Sequence, residues 1–209
     1  MKPLVPFTLS IKDCFDELDD FDQLLASKAE LKEREDVLPF FNTHRNIAAY
    51  VGSYAPTIVG FDRLNMECTL FGDFRADMIV GDSVRKSYCL VEFEDATKDS
   101  IFKSGGRSTS EWSSRFEHGF GQLVDWFWKI DGLRDSPQAR AIFGADTFAF
   151  MGMLVIGRDS FLGPEELMRI EWRINKVTIN SNKIVCLTYD QLAKGLRDSL
   201  TLYKSFSAP

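Results

Sequence analysis

Asp77 sits inside the run Phe74-Arg-Ala-Asp77-Met-Ile-Val80, and Glu92 and Glu94 close the run Tyr88-Cys-Leu-Val-Glu92-Phe-Glu94. Both runs are β-patterned and rich in apolar residues, so the acids stand where core side chains are expected. A carboxylate on a half-buried strand costs on the order of several kcal/mol unless something pairs with it. A divalent cation is the simplest compensation for three such groups. Hard cations such as Mg²⁺, with Mn²⁺ able to substitute, take oxygen ligands. The segment therefore implies a metal-dependent hydrolytic site with Asp77, Glu92 and Glu94 as its acids.

Strand side chains alternate, which sets a geometric condition. Leu90, Glu92 and Glu94 share one face of the second run, and Arg75, Asp77 and Ile79 share one face of the first. Asp77 meets Glu92 across a hairpin only if paired residue numbers sum to an odd value, as in 77 with 92. A register of 77 with 91 would put the acids on opposite faces. The competing explanation is a solvated polar face on an edge hairpin.

A second polar stripe follows. Arg115, His118 and Gln122 recur at spacings of three and four, opposite an apolar stripe of Phe116, Phe120, Leu123 and Phe127. Gln122 is neutral and could hold a water or a phosphate beside the carboxylates. His118 is a candidate for proton transfer, whereas His44 has no second His or Cys at zinc spacing. Between acids and helix, the loop over 95–110 carries Lys98, Lys103 and Arg107, and such cations suit a phosphodiester backbone. An ordinary solvated helix face and a charged flexible loop are the plain alternatives. Neither a phosphate-cradling glycine motif nor a GxSxG elbow is present.

These residues need elements to hold them. The pattern predicts helix over 21–53 interrupted at Pro39, strands near 57–63, 66–71, 74–80 and 87–94, and a helix over 111–131 capped by Ser110. A short helix at 137–143, a buried strand at 148–156, a helix opening at Pro164, a strand at 183–188 and a closing helix over 190–203 complete the order. Residues 1–20 read as a loosely docked extension, and 21–209 as one α/β domain with a mixed central sheet flanked by helices. The chain has 209 residues, 44% of them hydrophobic, enough for one sizeable core. A net charge of −6 argues against a large basic surface, though not against a local basic groove. Cys68, Cys89 and Cys186 fall in apolar runs, Cys14 lies in the acidic lead-in, and no CxxC occurs, so reduced thiols are expected. With no long apolar run and no apolar core near the N-terminus, a cytoplasmic protein without membrane contact is expected.

An acid on one strand, acid-x-acid on the next and a helix with an inward Gln resemble the PD-(D/E)xK nucleases. The longer segments Trp112-Ser-Ser-Arg-Phe-Glu-His-Gly-Phe-Gly-Gln122-Leu-Val-Asp-Trp126, Val155-Ile-Gly-Arg158 and Leu187-Thr-Tyr-Asp190 resemble the C-terminal nuclease domain of the Shedu anti-phage family. The resemblance covers about residues 25–205. It implies a restriction-endonuclease-like fold, DNA as substrate, anti-phage function and assembly as a homo-oligomer. It also implies Asp77, Glu92 and the Phe93 carbonyl as metal ligands, with Gln122 beside them. The departure is Glu94, where that pattern usually has Lys. Glu94 would then act as a further ligand or base, Lys98 or Lys103 would reach in from the loop, or the domain would bind DNA or a partner without cutting. A hydrolase of small phosphoesters is a further reading of the same acids.

Overall fold

The computed structural model describes residues 3–103, 109–179 and 181–207. Helix α1 (Ile11–Ser27) is capped by Ser10, whose Oγ accepts from the Asp13 N–H. It buries Cys14, Leu18, Phe21 and Leu25 along one stripe. The expected loose extension over 1–20 is thereby corrected, since its acids form the outer face of a docked helix and a boundary at residue 20 would cut α1. A π-helical turn (Glu33–Val37) leads into α2 (Leu38–Thr43) and α3 (Arg45–Tyr50). Pro39 sits in the first turn of α2, where its missing N–H costs nothing.

The strand expected at 57–63 does not form. Buried Asp82 instead accepts the Val59, Gly60, Val84 and Arg85 N–H groups, drawing the 59–60 N–H groups to its carboxylate after a turn at 56–57. The meander is β1 (Arg63–Leu70), β2 (Phe74–Asp82) and β3 (Ser87–Phe93). A small ribbon, β4 (Phe102–Lys103) with β5 (Glu111–Trp112), precedes α4 (Ser114–Leu133). The cap of α4 is Ser113, not the expected Ser110. Ser113 Oγ accepts from the Phe116 N–H at 2.9 Å while its hydroxyl donates to the Ser100 carbonyl, so the ribbon occupies the residues that the helix was expected to start on. Then come α5 (Pro137–Phe143), β6 (Ala149–Val155), α6 (Pro164–Lys176), β7 (Thr178–Ile179), β8 (Asn182–Leu187) and α7 (Tyr189–Ser207).

The six-stranded sheet has the order β1-β2-β3-β6-β8-β7. Its meander half is antiparallel, β3, β6 and β8 run parallel, and β7 returns antiparallel, so the mixed α/β sheet expected from the sequence is present. One core layer joins α1, α2, α3 and α7 to one face of the sheet, and a second joins α4, α5 and α6 to the other. Helix α4 lies close to the strands because Gly119 and Gly152 lack side chains. A Cβ at Gly119 would come within 2.8 Å of Leu154 Cδ1, and one at Gly152 within 2.8 Å of the Phe127 ring. Arg158 fastens the layers at one end: its Nε meets both Asp190 carboxylate oxygens at 3.0 and 3.1 Å, and its Nη atoms take the Leu25 and Lys28 carbonyls that α1 leaves free. Among the described residues no helix is long and apolar enough to cross a membrane.

Candidate active site

The β2–β3 register pairs Met78 with Val91, an odd sum that continues to 77 with 92. The hairpin therefore adopts the register that brings the acids together. Asp77 Oδ2 accepts the Phe93 backbone N–H at 2.8 Å, a side chain standing in for a ladder carbonyl just where the strands part. Glu92, only 6% exposed, accepts from Gln122 Nε2 on α4 through Oε1. Its other oxygen, Oε2, is buried without a hydrogen-bond partner. Buried carboxylate oxygens are rarely orphaned, so this atom calls for an explanation.

The hairpin bends at the same place. Leu64 and Met66 pack into one core layer and Cys68 and Leu70 into the other, and the change of layer falls at Glu67, whose φ is +50°. On β2, Met78 and Val80 belong to the first layer and Ala76 to the second. Since Met66 faces Met78 and Cys68 faces Ala76, Glu67 lies opposite Asp77. A left-handed glutamate inside a strand costs on the order of 1 kcal/mol, and such strain collects at functional sites.

A cleft of about 580 Å³ opens at this bend. The acids Glu33, Glu67, Asp77, Glu92 and Glu94 line it with the cations Arg34, Arg75 and Arg115, and with Asn42, His118 and Gln122. The structure thus brings together Asp77, Glu92, Glu94, Arg115, His118 and Gln122 from the sequence-derived set. Phe116 and Phe120 are buried behind them, as the helix stripe requires. Burial raises the proton affinity of Asp77, and the charges of Glu33, Glu94 and Glu67 add to it while the Phe93 N–H opposes. Burial likewise raises Glu92, followed by the charges of Asp77, Glu94 and Glu33. Glu33 and Glu94 are raised chiefly by burial as well. Without a compensating cation these groups hold protons at neutral pH more readily than free acids do.

Glu94 is differently engaged. Its Oε2 accepts from Arg115 Nη1 at 2.7 Å, and Arg115 Nη2 lies 3.3 Å from Asp95. The Glu94 carbonyl accepts the Tyr189 hydroxyl at 2.7 Å. Among the described residues no three His, Cys, Asp or Glu groups form a ready-made metal cage. The chain offers a pair, Asp77 and Glu92, with one orphaned oxygen, and that donor set suits a hard cation.

The loop cations fare unevenly. Lys103 donates to Ser114 Oγ at 3.3 Å and lines a neighbouring cleft of about 490 Å³ that shares Glu94, Arg115 and His118 with the first. Lys98 is exposed, its backbone N–H on Glu30, and its side chain is not among those lining either cleft. Arg107 lies outside the described residues. Sequence reasoning missed Glu33, Arg34 and Glu67, and it placed Arg75 on the Asp77 face without giving it a role. Glu33 and Arg34 stand in a charged run, Glu33-Arg-Glu-Asp36, that reads as a solvated helix, and nothing in their spacing links them to residues over forty positions away. Glu67 had a faint signal, as an acid between two apolar neighbours of a strand.

Fold and site together define an α/β protein with an acid-lined cleft where the strands of its mixed sheet diverge. Residues 30–193, well over half of the chain, match the family described as Shedu protein SduA, C-terminal. The chain belongs to that family. A comparison with curated proteins gives no match.

Proposed function

We propose that this domain is a metal-dependent endonuclease or nickase of the restriction-endonuclease-like, PD-(D/E)xK type, cutting DNA in the anti-phage defence that Shedu membership implies. The observation that carries the reading is the orphaned Glu92 Oε2, buried in the cleft beside Asp77. Mg²⁺, or Mn²⁺ in its place, would supply Lewis-acid activation of water and neutralise phosphate charge there. Asp77 would hold it through the oxygen that Phe93 leaves free, Glu92 through Oε2, and the Phe93 carbonyl would complete the backbone side. Gln122 fixes Glu92 by occupying Oε1. Glu33 enters from the opposite layer as a further acid. Glu94, steadied by Arg115, would serve as proton acceptor or as a further ligand.

Plasmid nicking in Mg²⁺ and in Mn²⁺ tests this. Wild type is expected to nick, while Asp77→Ala and Glu92→Ala abolish nicking and retain native circular dichroism. Glu94→Lys is expected to lower activity if Glu94 accepts the proton. Wild-type cleavage that survives loss of Asp77 or Glu92 overturns the assignment. A second reading, a non-catalytic DNA- or partner-binding module, is favoured by Glu94 standing where the family pattern usually has Lys and by the net charge of −6. An inert wild type that gains nicking on Glu94→Lys would select it.

A further inference from the structure

Resting on the reading of the cleft as a DNA-cutting site, we propose that Arg34 is the arginine that grips the substrate backbone, facing the metal-binding acids from the opposite layer. The charges lining the cleft carry the argument. A phosphodiester entering it meets five acids, and a polyanion approaches such a wall only if a cation in the same cleft is free to receive it. Two of the three lining arginines are already engaged. Arg115 is held by Glu94 and Asp95 at 2.7 and 3.3 Å. Arg75 is paired with Glu67 at closer range than Arg34 is with Glu33. Both side chains of that pair are also exposed (59% and 46%), so Arg34 differs from it in the looseness of its contact and in its greater exposure. Among the described residues Arg34 pairs only with its neighbour Glu33, at 3.8 Å, and its side chain is 89% exposed. An exposed pair at that distance contributes about 0–1 kcal/mol and gives way readily to a phosphate. A guanidinium offers two parallel donors that match two phosphate oxygens.

The backbone beneath Arg34 is built to hold it there. Glu33 and Arg34 are consecutive, yet both line the cleft, because a π-helical turn carries them along its rim. Asp95 Oδ1 accepts the Glu33 N–H at 2.8 Å, and Asp36 Oδ2 accepts the Lys32 N–H at 2.8 Å. The Leu31–Ala96 bridge ties the approach to the segment that follows β3. Single π turns recur at functional sites, where they aim side chains that an α-helix would turn away. The turn thus brings an acid into the cleft with Asp77 and Glu92 and, one residue later, a cation to the rim where a phosphate would arrive.

The test is fluorescence anisotropy of a labelled DNA duplex in EDTA over a salt series, with wild type and Arg34→Ala, Arg34→Lys and Arg34→Glu, and circular dichroism as the folding control. Arg34→Ala is expected to bind about tenfold more weakly, with the log–log salt slope reduced by about one. Lys should recover part of the loss and Glu deepen it. In Mg²⁺, nicking by Arg34→Ala should show KM rising more than kcat falls. Wild-type affinity and slope in Arg34→Ala overturn the proposal, as does a wild type that binds no DNA. A wild type that binds through Arg34 but never nicks leaves the proposal standing and removes the nuclease reading instead.

Discussion

Glu92→Gln isolates the cost of an uncompensated acid. Glu92 is buried, and its proton affinity is raised above the ordinary 4.5, by burial first and then by the charge of Asp77. Below about pH 4.5 folded and unfolded chains both hold the proton, and no penalty exists. As pH rises the unfolded chain releases it and the folded chain keeps it, so stability falls with rising pH. The interval from 4.5 to pH 7, at about 1.4 kcal/mol per unit, sets a ceiling of about 3 kcal/mol. Glutamine has nearly the same shape, still meets Gln122 and carries no titrating proton. In EDTA at pH 7, Glu92→Gln should therefore be more stable than wild type by about 2–3 kcal/mol, at about 2–4 °C in Tm per kcal/mol. Urea unfolding in EDTA at pH 5 and pH 7 provides the measurement. The gain should shrink below about 1 kcal/mol at pH 5. Added Mg²⁺ should stabilise wild type by the usual ligand linkage and Glu92→Gln much less. A variant no more stable than wild type at pH 7, or equally favoured at both pH values, would refute the reasoning.

Gly119→Ala should cost about 1–3 kcal/mol in urea unfolding, because its Cβ would meet Leu154 Cδ1 at 2.8 Å and Glu94 Cγ at 3.2 Å. Arg115→Ala strands the nearly buried Glu94 and should destabilise by about 1–2 kcal/mol, discounted because Arg115 is 42% exposed. The double variant with Glu94→Gln should recover most of that loss at pH 7, and full additivity would exclude their coupling. Arg158→Ala leaves Asp190 unpaired and the Leu25 and Lys28 carbonyls unbonded. It should cost about 3 kcal/mol, with hydrogen exchange rising first at the C-terminal end of α1, and unchanged exchange there would count against the fastening role.

Periodicity found what repeats. The α4 stripe, α5 at 137–143 and the buried strands at 149–155 and 182–187 all follow apolar spacing that depends only on neighbouring residues. The odd-sum register also followed from local logic, since only one parity lets Asp77 and Glu92 share a face. The failures were long-range. Whether 1–20 docks depends on the face that α1 finds against α3 and α7, and an acidic surface helix looks like a solvated tail until its partner is known. The strand expected at 57–63 lost to Asp82, more than twenty residues away, which bonds the Val59 and Gly60 N–H groups. Glu33 and Arg34 reach the cleft only because Asp95 accepts the Glu33 N–H, a tertiary contact that no local pattern encodes.

The two walls of the cleft belong to different halves of the molecule. Glu33 and Arg34 ride on the layer built from α1, α2, α3 and α7, while Gln122 and Arg115 ride on α4 in the other, with the sheet between them. The cleft is thus a seam shared by both halves, and Asp95 is the stitch across it: Oδ1 takes the Glu33 N–H from one wall and Oδ2 meets Arg115 from the other. The separation of the walls is therefore set by packing in both layers at once, with Arg158 tying the end of α1 to Asp190 at the start of α7.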